Sequence, residues 1–210
     1  MRGVGETLGL REQKKRRTRQ ALVEAALGLF ADQGYDNTTV AQIAAAAQVS
    51  YATFFNYFAA KDDVIFADDD LYDELLSAAF AAPQPGQTPA DLLLRAVLTL
   101  STAPAWSFPL DHELTAVRAR LIAEVPALRA AALMRNAALQ QRLAILLRGA
   151  FPEVSMMHAA ALTGAVAGAV DAALTTAAAI TTKEPSRALS EVIEQAATTA
   201  LRGHLSPRSS

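Results

Sequence analysis

Cysteine is absent from all 210 residues, which excludes disulfide staples and thiolate metal sites. Aromatic residues make up only 6% of the chain, with a single Trp, so any cluster of them stands out. Histidine is scarce too. His112, His158 and His204 fall on separate segments without metal-ligand spacing, and each reads as a surface or satisfied core residue. No glycine-rich phosphate loop, nucleophile elbow or paired-carboxylate motif is present. An enzyme, a metal and a cofactor are therefore not expected. Strand alternation and internal repeats are missing as well. The start, MRGVGETLGL, lacks the apolar run of a signal peptide, so a cytoplasmic protein is expected. One long stretch is short of charge: residues 159–182 hold only Asp171. Ala, Thr and Gly dominate it and partition weakly into lipid, and a central Asp adds about 2.5–3.5 kcal/mol to insertion. A helix buried at a subunit interface is the expected reading, with no membrane.

What the chain does have is apolar mass. It is 52% hydrophobic, far from a disordered composition. Its length fits one large or two small domains. The formal charge is only −2, but it is unevenly spread. Residues 1–62 hold eight Lys/Arg against six Asp/Glu, and the remainder is net acidic. Arg11, Lys14, Lys15, Arg16, Arg17 and Arg19 form a basic arm whose only acid is Glu12. Such an arm is either a solvated charge run or a set of phosphate contacts that release counterions from DNA. Residues 1–9 before it are expected to be disordered.

Periodicity predicts an all-α fold of about nine helices. Leu22, Ala25, Ala26, Leu29 and Phe30 form the stripe of a first helix over 12–33, closed by Gly34. Thr38 and Thr39 offer hydroxyl caps to a second helix carrying Val40, Ile43, Ala44 and Ala47. Ser50 caps a third, YATFFNYF, of about two turns. Phe54 and Phe58, four apart, face the core, leaving Tyr51, Ala52, Thr53, Phe55 and Tyr57 outward. Two short helices joined by a tight turn make a helix-turn-helix, whose second helix enters the major groove of DNA.

From about residue 11 to 66 the order of these pieces resembles the DNA-binding region of TetR-type transcriptional repressors: the basic start, QALVEAALGLFADQG, GYDNTTV and VSYATFFNYFAAKDDV. The FFNYF variant resembles an actinobacterial branch. Gln48 stands where the family usually has the turn glycine, so that turn must tolerate a side chain. Ala41 stands where many members carry a basic or polar residue. The resemblance implies DNA contacts from Arg16, Arg17, Thr39, Ser50, Tyr51, Ala52, Thr53, Phe55, Tyr57 and Lys61. Tyr51, Ala52, Thr53 and Phe55 are expected nearest base edges, with Thr39, Tyr57 and Lys61 on phosphates. It also implies a DNA-binding domain over residues 10–60 and an effector-binding, dimerising domain over 61–210.

In the second part, helices are expected over 61–81, 88–103, 110–124, 127–149, 153–182 and 186–204. Asp68, Asp69 and Asp70 sit in the first of these and point apart, so they read as solvated. Gly164 and Gly168 on the penultimate helix, with Leu189, Val192, Ile193, Ala196 and Ala200 on the last, are expected to build a four-helix homodimer interface. Arg118 and Arg135 each lie within an apolar stripe. Either they make structural ion pairs, for example with Asp171 or Glu113, or they bind an anion in a ligand pocket. Phe66, Trp106, Phe108, Leu114, Leu121 and Met134 are the apolar candidates for that pocket. Some regulators similar to this branch respond to acyl thioesters or other lipid-like carboxyl compounds. The effector implied is apolar with an anionic or strongly polar head.

Overall fold

The computed structural model describes residues 3–81, 83–103, 112–180 and 189–204, and among them every regular element is helical. Nine α-helices occur among the described residues: α1 Gly3–Gln33, α2 Val40–Ala46, α3 Tyr51–Phe54, α4 Asp69–Ala81, α5 Pro89–Ser101, α6 Glu113–Glu124, α7 Pro126–Ala150, α8 Met156–Ile180 and α9 Leu189–Leu201. The chain divides into two compact units, 1–68 and 69–210.

In the first unit, Leu22, Val23, Ala26, Leu27 and Phe30 of α1 are buried together with Ile43, Ala44, Phe54, Phe58, Val64 and Ile65. Of the predicted stripe, Leu22, Ala26 and Phe30 are buried; Ala25 and Leu29 are half-buried, and Val23 and Leu27 complete the core face instead. The start of α1 differs as well: the helix begins at Gly3, not near residue 12, and takes the basic arm with it. The arm contains no proline, and Glu12 precedes Arg16 by four residues, the favourable order for a helical ion pair.

Two further corrections concern helix ends. α3 is one turn long, not two, because the chain tightens after Phe54. Asn56 and Tyr57 donate to the carbonyls three residues back, at 3.1 and 2.9 Å. The helix expected over 61–81 is broken. A 3-10 turn spans Lys61–Val64, and α4 starts only at Asp69. The carbonyl of Ala67 is taken by the Arg19 guanidinium, from Nη2 at 2.7 Å and Nε at 3.2 Å. Within the same turn Asp63 accepts from the Ala60 backbone N–H at 3.0 Å, which fixes the start of the 3-10 piece. Asp68 is buried, not solvated.

The second unit is a helical bundle. Leu76 and Phe80 of α4, Leu92, Leu93 and Ala96 of α5, Leu143, Ala144 and Leu147 of α7, Leu162 and Val166 of α8, and Ala197 and Leu201 of α9 share one buried cluster. α5 begins as its sequence dictates. Thr88 accepts from the Asp91 N–H at 3.2 Å, Asp91 reaches back to the Thr88 N–H at 2.9 Å, and Pro89 occupies the first helical position.

Candidate nucleic-acid interface

The helix-turn-helix is set by local hydrogen bonds. Thr39 Oγ1 accepts from the Gln42 N–H at 3.3 Å, and Gln42 Oε1 accepts from the Thr39 N–H at 2.8 Å, a complete capping box for α2. Thr38 is buried, and its hydroxyl donates to the Gly34 carbonyl at 2.8 Å, so of the two threonines Thr39 is the cap. α2 ends in a Schellman motif. Val49 donates to the Ala44 carbonyl at 2.9 Å and Gln48 to that of Ala45 at 3.0 Å. That motif requires a left-handed residue, and Gln48 supplies it at φ 56°. Ser50 then caps α3, accepting from the Thr53 N–H at 3.0 Å, while the Ser50 and Thr53 hydroxyls are 2.7 Å apart.

This frame presents a small aromatic surface. Phe54 and Phe58 point inward, and Tyr51 and Phe55, 58% and 45% exposed, point outward. Their rings meet edge to face with centroids 5.1 Å apart. Ala52 is exposed beside them, and Thr53 and Tyr57 are half-buried. Arg16, Arg17 and Thr39 are exposed as well, the last with its hydroxyl engaged by Gln42.

Two cations of the same unit are turned inward. Lys61 Nζ donates to the carbonyls of Tyr35 at 2.7 Å and Thr38 at 3.1 Å. These two bonds leave at most one of its ammonium protons for the expected phosphate contact. Arg19, counted with the basic arm, lies over the Phe58 ring at 4.7 Å and donates to Ala67 and Tyr57. It braces the unit. Tyr35, which sequence reasoning did not single out, donates its hydroxyl to Asp62. Burial raises the Tyr35 pKa above its ordinary value, and the Asp62 hydrogen bond and the charges of Asp62 and Asp36 add to the rise.

Of the expected ligand-pocket residues, Phe66 is half-buried in the first unit, whereas Leu114, Arg118, Leu121, Met134 and Arg135 belong to the second. Trp106 and Phe108 lie outside the described residues. Leu114, Arg118 and Leu121 share one face of α6; Leu121 is buried, and Arg118 Nε and Nη2 are shielded from solvent. Met134 is 76% exposed. Arg135 is exposed and pairs with Asp69. Its long side chain carries the charge off the α7 stripe to the surface. Two open clefts lie elsewhere in this unit, one of about 490 Å³ at Leu94, Leu98 and Glu194 and one of about 290 Å³ along α9.

The expected dimer residues separate into two groups. Gly168 is exposed, and among the described residues a Cβ there would meet nothing beyond the local backbone of α8 within 4 Å. Leu189, Val192, Ala196 and Ala200 are half-buried. Gly164 faces α7 of its own chain, with Gln140 Oε1 3.8 Å from the position of a Cβ, and Ile193 is buried within the chain. Those two serve intrachain packing. Residues Met156–Thr176 of α8 form a stretch long and apolar enough to cross a membrane, and the helix packs against α7 and α9.

Residues 22–67 match the family described as bacterial regulatory proteins, tetR family. The HTH-type transcriptional regulator TcmR of Streptomyces glaucescens is 38% identical over 139 residues, 65% of this chain and 61% of TcmR. HbdR of Aromatoleum sp. (strain CIB), also an HTH-type transcriptional regulator, is 46% identical over 48 residues, 23% of this chain and 21% of its own. The chain therefore spans less than two thirds of the curated relatives it matches. Among solved structures, FadR of Thermus thermophilus, a TetR-family repressor in complex with lauroyl-CoA, superposes with a TM-score of 0.56 at 24% identity, covering 91% of this chain and 97% of FadR. FadR of Bacillus halodurans, a fatty acid degradation regulator, gives 0.58 at 20% identity, covering 89% and 96%. At these identities the two structures speak to the fold alone.

Proposed function

We propose that this chain is a TetR-type, cytoplasmic transcriptional regulator that binds a double-stranded DNA operator as a homodimer and releases it when a small-molecule effector binds. The observation that carries the reading is the capped helix-turn-helix with Tyr51 and Phe55 displayed at its outer surface. Bases are read by groups that reach their edges, and an aromatic ring can pack on a thymine methyl while a phenol hydroxyl donates to an acceptor. Arg16 and Arg17 supply phosphate contacts, which position the protein and carry no sequence information. The FFNYF variant supports placing the chain in the actinobacterial branch. DNA-binding function belongs to residues 10–60, and effector binding and dimerisation to 61–210.

The effector is an apolar molecule with an anionic or strongly polar head. Support comes from α6, where Arg118 lies between Leu114 and Leu121 on one half-buried face. A guanidinium grips a carboxylate through two parallel hydrogen bonds. Arg135, exposed and paired with Asp69, is the weaker candidate. Exposed Gly168 and the half-buried side of α9 support α8 and α9 as the dimer surface.

The test is fluorescence anisotropy with DNA from upstream of the protein's own gene, followed by challenge with long-chain fatty acids and acyl thioesters. Salt-sensitive binding that prefers this DNA over scrambled DNA, lost on adding such a compound and retained by Arg118→Met in the same compound, supports the full reading. Binding without release by any of them removes the effector class and leaves the DNA reading intact. The alternatives are a helical enzyme or carrier with an incidental basic arm, which absence of any preferred DNA would favour, and a DNA-binding dimer without an effector, which binding without release by any compound would favour.

A further inference from the structure

The fold brings together two histidines that stand 46 positions apart in the chain, which sequence spacing gave no reason to pair. His158 lies in the first turn of α8 and His204 just past the end of α9, with ring centroids 6.0 Å apart and rings nearly perpendicular. We propose that His158 and His204 form a two-histidine chelate for a divalent transition-metal ion of the Zn²⁺ type, clamping the start of α8 to the end of α9.

Three observations support this. The first is separation. Two imidazoles sharing one tetrahedral ion through nitrogens at about 2.0–2.1 Å have ring centres about 5–6 Å apart. The observed 6.0 Å lies at the upper end of that range, and both residues are exposed. The second is the anchoring of both backbones. The His158 N–H donates to Ser155 Oγ at 3.1 Å in the cap of α8. The His204 N–H donates to the Leu201 carbonyl at 2.7 Å, and its own carbonyl accepts from Thr88 Oγ1 at 3.3 Å. α8, α9 and the cap of α5 therefore fix the two backbones that carry the pair. The third is chemistry. Neutral imidazole is a good ligand for Zn, Cu and Ni, whereas Ca and Mg prefer oxygen donors. Water completes the coordination. The remaining histidine, His112, is used otherwise: its Nδ1 accepts from the Leu114 N–H at 3.2 Å and caps α6.

The experiment is calorimetric titration of the full chain with ZnCl₂, in wild type, His158→Ala, His204→Ala and the double variant. Wild type should bind one ion per chain. Each single variant should lose at least tenfold in affinity, and the double variant should lose no more than the weaker single one. Circular dichroism checks that the variants fold, and Cu²⁺ provides a readout that needs no variant, because its resonance spectrum in wild type should show two equatorial nitrogen ligands. Variants that bind Zn²⁺ as tightly as wild type, no binding at millimolar ion, or a Cu²⁺ spectrum with oxygen ligands alone would each overturn the proposal.

Discussion

The ammonium of Lys61 sits 4.0 Å from the centre of the Tyr35 ring while donating to the Tyr35 carbonyl at 2.7 Å and to that of Thr38 at 3.1 Å. It holds the loop between α1 and α2 against the turn that follows α3. A lysine at this place is a natural candidate for a phosphate contact, and the geometry gives it a prior occupation. Lys61→Ala should destabilise the first unit by about 1.5–3 kcal/mol, the typical worth of hydrogen bonds to a charged group. It should change the salt slope of DNA binding by less than the roughly one contact that a phosphate lysine contributes. Urea denaturation and binding at several salt concentrations measure the two effects separately. An unchanged midpoint with a slope reduced by one contact would make Lys61 a phosphate residue after all.

Tyr35 on the same loop gives a pH dependence. Its hydroxyl donates to Asp62, and burial, that bond and the neighbouring carboxylates raise its pKa. The folded state therefore keeps a proton that the unfolded chain releases near the ordinary tyrosine value of about 10. The stabilisation is complete below that pH and declines as pH rises above it. Comparing Tyr35→Phe with wild type between about pH 8 and pH 11 isolates this contribution, since other groups titrate in both. The gap between their denaturation midpoints should narrow toward the alkaline end. A constant gap would mean the hydroxyl is not held as described.

Gln48 occupies the left-handed position of the Schellman motif at φ 56°. A residue with a Cβ is disfavoured there by roughly 1–2 kcal/mol, partly offset in glycine by its greater freedom when unfolded. Gln48→Gly should raise stability by about 0.5–1 kcal/mol without altering DNA affinity. A lower thermal midpoint would show that the glutamine side chain contributes something the backbone geometry does not reveal.

Gly168 separates chain folding from assembly. Among the described residues, nothing beyond the local backbone of α8 lies within 4 Å of where a Cβ would stand, so Gly168→Leu should leave the monomer's helix content unchanged. If α8 meets a partner there, overpacking should weaken the dimer by about 1–3 kcal/mol. Sedimentation at decreasing concentration reads the dissociation constant. A mutant that dimerises as tightly as wild type would remove Gly168 from the interface.

The elements that were legible in the sequence depend on near neighbours. Thr39, Ser50 and Thr88 cap helices through residues three positions on, and the buried Leu22, Ala26 and Phe30 of α1 follow from their own spacing. What escaped depends on distant partners. The break before α4 owes much to Arg19 capturing a carbonyl 48 residues away. Arg135 sits at stripe spacing, yet it escapes to Asp69 across 66 residues. His158 and His204 meet only because α8 and α9 pack side by side. Of the ligand-pocket residues, α6 contributes a coherent face, while Met134 turns out to be surface.

The central claim is sequence-specific DNA recognition by the aromatic surface of α3, and the most direct measurement is the affinity of Tyr51→Ala for operator and for random DNA at one salt concentration. Tyr51 is exposed and makes no hydrogen bond within the chain among the contacts described, so the substitution should leave stability within about 0.5 kcal/mol of wild type. The account predicts that operator binding weakens by about 1–3 kcal/mol while binding to random DNA is unchanged, because a base contact is lost and phosphate contacts are kept. Equal losses on both DNAs, or none on either, would contradict it.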